Sequence, residues 1–252
     1  MSSNEDRFLR RLSDPRWVPH ISSYCDGRCA KCAFTERCWS FAVSHGLEPE
    51  SPDDALPTGE YEMRTPRAPS WAERHGIDLD NIPDDPDFDK QYQATRKRID
   101  SDILVSRTHS YVLDAAQVLH PLLEREPFES VSHDLYSWAL TIGAKTYRAV
   151  SSYVFNETED IERDPVQNDA NGSVKVVRLA IEQSLSAWGE LATAGAMDPG
   201  LIAHLVERLK TIDGDLAERF PLAMRFIRPG FDEEVPGLVR PWGVDVDEDE
   251  DE

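Results

Sequence analysis

Cys25, Cys29, Cys32 and Cys38 are the chain's only cysteines, and all four fall in the short stretch from Tyr24 to Trp39. Their spacing is C-x3-C-x2-C-x5-C. Thiolates are soft donors that suit zinc and iron–sulfur clusters. Four of them in one segment make the donor set of a metal centre. Asp26, Gly27, Arg28, Lys31, Glu36 and Arg37 lie between them, so the segment is polar and does not read as a buried strand of structural cysteines. Disulfides are disfavoured on two counts. The first 30 residues hold no basic start followed by an apolar run, so no export signal is expected. A chain of 252 residues can also bury a core without staples.

The choice of metal lies between a [4Fe–4S] cluster and zinc. Structural zinc sites usually draw two cysteine pairs from separate places in the chain. Here one turn-rich stretch supplies all four ligands, which suits a cubane whose corners each take a thiolate from a wrapping loop. The sequence therefore favours the cluster, with zinc as the alternative. His20 and His45 flank the segment, but four thiolates already satisfy either metal.

The stretch from Cys29 to Cys38 is C-x2-C-x5-C, with Phe34 two residues after Cys32. It resembles the iron–sulfur segment of RecB-like nucleases and is similar to the auxiliary-cluster segment of some radical-SAM maturases. That resemblance covers about ten residues and implies a cluster, not a fold. A nuclease would need a sheet bearing an Asp and a Glu-x-Lys pair, and the chain has no Glu-x-Lys. Cys25, Cys29 and Cys32 also match the radical-SAM spacing, but Lys31 stands where those enzymes usually carry an aromatic residue. No alternating strands and helices follow. The cysteine segment paired with a late Arg228-Pro-Gly-Phe-Asp232 is similar to a group of uncharacterised bacterial four-cysteine proteins. That likeness implies an architecture and carries over no activity and no catalytic residue.

Charge narrows the partners. The chain has 48 acidic and 27 basic residues, a net charge of −21. Removing the seven acids between Asp245 and Glu252 still leaves −14. Such a surface repels nucleic-acid phosphates and anionic lipid. No window approaches a spanning length of apolar residues. A cytoplasmic protein with a protein redox or interaction partner is expected, without nucleic acid or membrane.

Four stretches follow in order. Residues 1–47 carry the metal-binding module, introduced by Phe8, Leu9 and Leu12 among arginines and closed by the apolar run Trp39 to Val43. That run reads as a short helix docking the module on the body. Residues 48–88 contain Pro49, Pro52, Pro57, Pro66, Pro69, Pro83 and Pro86, which forbid a long helix and predict a wrapping linker. Trp71, Ile77, Leu79 and Ile82 would lay parts of it against the body. Residues 89–235 read as helices, and 236–252 form an acidic tail of the solvated kind.

Within the helical stretch, apolar residues recur every three or four positions. Leu104, Thr108, Tyr111, Ala115, Val118 and Leu122 predict one helix from about Asp87 to Pro121 or Pro127. Leu135, Trp138, Ile142, Thr146, Ala149 and Tyr153 predict a second, followed by a charged loop over 156–169. Val174, Val177, Ile181, Ser184, Trp188 and Leu191 predict a third, capped by Asp169, Asn171 or Ser173 and stopped at Gly195. Leu201, Leu205, Leu209, Ile212, Leu216 and Phe220 predict a fourth, opened by Asp198-Pro199. The expected fold is mainly α: an antiparallel four-helix bundle with an N-terminal cysteine module and a long Pro-rich connection.

Other chemistry is sparse. None of His109, His120, His133 or His204 has a Glu three residues before it, against a di-iron bundle. No nucleophile elbow, P-loop or dinucleotide fingerprint occurs. Lys145, Tyr147 and Arg148, with Arg225 and Arg228, are either ion-pair partners for the many acids or the lining of an anion pocket near the metal. The expectation is an iron–sulfur protein for electron transfer or redox sensing. The alternatives are a zinc-stapled helical interaction module and an enzyme with a pocket in the bundle, its catalytic residues unknown.

Overall fold

The computed structural model describes residues 17–18, 21–45, 86–159, 164–228 and 230–232. The N-terminal arginine-rich piece, His20, nearly all of the Pro-rich linker with Trp71, Ile77, Leu79 and Ile82, and the acidic tail lie outside these residues. The described chain is mainly helical, with six α-helices and no strand. They are α1 (Trp39–Ser44), α2 (Pro86–Asp100), α3 (Ile103–Leu119), α4 (Glu129–Glu159), α5 (Asp169–Thr193) and α6 (Pro199–Arg219). None of them is long and apolar enough to cross a membrane.

Two compact units divide the chain. One comprises Met1–Pro19 with Ala33–Gln93, the other His20–Cys32 with Ala94–Glu252. The cysteine segment is thereby split: Cys25, Cys29 and Cys32 belong to the larger unit and Cys38 to the smaller.

In the larger unit, α4 packs on α5 and α3, and α6 packs on α3 and α5. Their apolar faces share one core, with Leu104, Tyr111, Leu135, Ile142, Ile181, Trp188, Leu191, Leu205 and Leu209 fully buried. The periodicity read from the sequence marks the buried stripe of the helices, save Leu201, which is exposed, and Val118 and Tyr153, which are half-buried. At the centre, Trp188 donates its indole N–H to the Tyr111 hydroxyl at 3.2 Å. Burial pushes the Tyr111 phenol up to about 12.

The helix ends depart from expectation in instructive ways. The predicted first helix is two helices, broken at Ser101 and Asp102. The Asp102 carboxylate accepts from Leu104 N at 2.9 Å, which caps a new helix rather than continuing the old one. Pro121 then closes the stretch in a 3-10 turn, His120–Leu122, so His120 sits in that turn and not in a helix. The second helix runs on to Glu159, well into the expected loop. The third is capped by Asn168, whose side chain accepts from Asn171 N, and not by Asp169, Asn171 or Ser173. Gly195 does follow its end with φ +62°, and Asp198 does cap α6 ahead of Pro199. Leu201 is 47% exposed, because the stripe that points inward runs through Ile202 to Leu205.

In the smaller unit, the 3-10 turn Thr35–Arg37 packs on α1, and Val18 N donates to Arg37 O at 3.0 Å. Trp17 and Trp39 meet edge to face at 5.5 Å. Apolar residues after Cys38 do form a helix, as expected.

Candidate metal centre

The cysteine segment is built from tight turns, not from regular structure. Gly27 adopts φ +77°, a left-handed conformation that a side chain would strain. Cys29–Lys31 form a 3-10 turn closed by Cys32 N to Cys29 O at 3.1 Å. Cys38 immediately precedes α1, and its sulfur accepts from Phe41 N at 3.4 Å. None of the four cysteines is in a disulfide; Cys29 is exposed and the others are half-buried. His45 stacks on Phe41 at 4.0 Å and meets the Ser44 hydroxyl, so it is engaged within its own helix end.

Residues 20–32 are fastened to α4 by side chains far away in sequence. Arg28 and Lys31 both reach Asp134, at 2.5 and 2.7 Å. The Arg28 guanidinium also lies 4.6 Å from the centre of the Trp138 ring. Thr141 donates its hydroxyl to Asp26 O at 2.9 Å, and Lys145 Nζ donates to Ser23 O at 2.6 Å. The contacts Asp134, Thr141 and Lys145 recur at helical spacing, so one face of α4 holds the segment. Charge spacing on α4 hinted at this only for Lys145.

Electrostatics are uneven along the segment. Burial pushes the Cys25 thiol above its ordinary pKa, against the Gly27 backbone N–H and the nearby Lys145 ammonium, which pull it down. Burial also lowers the Lys145 pKa, against the pull of Cys25. The Cys25 sulfhydryl lies 3.4 Å from Ser22 O.

Two cationic side chains of the sequence reading, Arg148 and Arg228, are ion-paired. Arg148 grips Asp169 with two nitrogens, the shortest contact being 2.6 Å. That hydrogen bond raises the Arg148 pKa. Arg228 grips Asp232 in the same manner. The salt-bridge alternative therefore describes both. A cleft of about 450 Å³ adjoins Asp134, with Phe128, Trp138, Glu190 and Leu191 in its wall, but Asp134 is already held by Arg28 and Lys31.

Four thiols outside any disulfide, on a turn-built backbone, fit a thiophilic metal by donor chemistry. Among the described residues no three His, Cys, Asp or Glu side chains are gathered into a metal-holding group. The chain matches no family model, no curated protein and no solved structure.

Proposed function

We propose that Cys25, Cys29, Cys32 and Cys38 hold one metal centre, a [4Fe–4S] cluster in preference to zinc. The chain then serves electron transfer or redox sensing for a partner protein. Its carrier is an antiparallel four-helix bundle made of α3 to α6, a reading supported by their pairwise packing around one core. The observation that carries the proposal is the confinement of every cysteine, none of them in a disulfide, to one turn-built segment with the larger unit's part fastened to α4.

Bound there, a cluster supplies one-electron transfer. The protein's own contribution is to orient and shield. Lys145 and Thr141 hold the backbone at Ser23 and Asp26. Arg28 and Lys31, next in sequence to Cys29 and Cys32, are anchored on Asp134. Hydrogen bonds to sulfur, such as Phe41 N to Cys38, tune the potential of such a centre. With four thiolates on four corners, no iron is left open for Lewis-acid catalysis. The net charge of −21 favours a partner with a basic face.

Single Cys→Ser replacements test the ligand set. Each of the four should reduce metal retained per chain. Full retention by Cys38→Ser would remove that residue from the set and leave a three-thiolate site.

A further inference from the structure

The residue before the first cysteine is the most tightly enclosed part of its segment. Tyr24 is fully buried, and its ring packs on Phe226 with centroids 4.7 Å apart. With Val176 the two rings form a small core separate from the main one. The fit depends on Gly172 in the first turn of α5. A Cβ there would lie 2.3 Å from Tyr24 Cε1 and 2.8 Å from Phe226 Cζ. Both rings therefore rest directly on the helix backbone.

Phe226 is in turn held by a closed polar frame. Lys175 Nζ donates to Phe226 O at 2.6 Å and to Asp232 at 2.5 Å. Ile227 N donates to Gln167 Oε1 at 2.6 Å, and Gln167 Nε2 donates back to Ile227 O at 3.1 Å. Arg228 N and its guanidinium both donate to Asp232, which closes the turn. The guanidinium also lies 5.0 Å from the Phe231 ring centre. Among the described residues the Tyr24 hydroxyl has no hydrogen-bond partner, so the ring is held by shape and not by its polar tip.

We infer that Tyr24 is a positioning residue for Cys25 and that the C-terminal turn, Phe226 to Asp232, is the clasp that keeps it seated. The turn thus sets how far the Cys25 thiol is withdrawn from solvent. An opening of the clasp exposes the first cysteine of the segment from the opposite end of the chain. The clasp is part of the protein's own packing, whether the thiols take iron, zinc or no metal.

Alkylation of the reduced, metal-free full chain by iodoacetamide, followed cysteine by cysteine by mass spectrometry, tests it. The Cys25 rate is read against Cys38 of the same molecule. Phe226→Ala and Gly172→Ala should each raise that ratio at least about five-fold, since a local opening of modest free energy multiplies the open population by that much. Tyr24→Phe, which keeps the ring, should leave it unchanged. A ratio unmoved in both disruptive variants, with helicity retained, overturns the inference. Should those variants unfold, hydrogen exchange of the wild-type chain decides. Amides at 21–29 and 226–232 should open together as denaturant rises, and two separate openings would overturn it equally.

Discussion

Lys145 Nζ donates to the backbone oxygen of Ser23 at 2.6 Å, joining the middle of α4 to the root of the cysteine segment. A charged donor on a half-buried carbonyl is among the stronger hydrogen bonds a protein makes. Met in place of Lys145 keeps the aliphatic stem and removes the donor. The expected loss is about 1–2 kcal/mol, and a chain of this size then melts roughly 2–6 °C lower. Thermal unfolding followed by circular dichroism measures it. An unchanged melting temperature, with unchanged exchange at 21–29, would mean that the bond contributes nothing.

Asp134 receives both Arg28 and Lys31. Asn at this position keeps the size and removes the charge that draws two cations to one point. Because Lys31 is exposed, most of the effect should come from Arg28. The predicted outcome is faster amide exchange at 28–32 with the helices unaffected. Equal exchange in D134N and the parent chain would show that the Trp138 face alone holds Arg28.

Tyr111 and Trp188 share the buried hydrogen bond at the centre of the main core. Tyr111→Phe leaves the indole N–H buried without its acceptor. An unsatisfied buried donor costs about 1–3 kcal/mol. Urea denaturation should show a lower midpoint with an unchanged slope. A slope that also changed would point to a reorganised core.

Asp232 gives the clasp a pH dependence. Burial alone would raise its pKa, but hydrogen bonds from Arg228 and Lys175 hold the carboxyl down to about 2, below its ordinary value of 3.8. A group depressed on folding stabilises fully above its unfolded pKa and loses that contribution as pH falls through the folded value. Clasp stability should therefore be complete above pH ~4 and fade towards pH ~2. Exchange at 226–232 across that window should steepen in the parent chain and flatten in Asp232→Asn. A matching profile in both would assign the acid sensitivity to another carboxylate.

Much of the helical core was legible because a helix writes its buried face into the sequence every three or four residues. Val174 to Leu191 is buried at every position the pattern named. Asp198-Pro199 and Gly195 marked their boundaries through local backbone chemistry. The break at Ser101 and Asp102 had a signal too: an Asp just before the apolar Ile103-Leu104-Val105 is a cap, which the long periodic run obscured. Asn168 does not stand out as the cap, because three other capping residues follow it within five positions. The anchoring of the cysteine segment had almost no local signature. Asp26 and Thr141, or Tyr24, Gly172 and Phe226, meet only once the helices are packed, and no spacing along the chain encodes such a contact.

Metal and acid-labile sulfide content, measured with an absorption spectrum on protein purified without oxygen, separates a cluster from zinc. A [4Fe–4S] centre gives about four iron and four sulfide per chain and a broad band at roughly 400 nm that bleaches on reduction. About one zinc per chain and no colour would contradict it and leave the cysteine segment a structural staple.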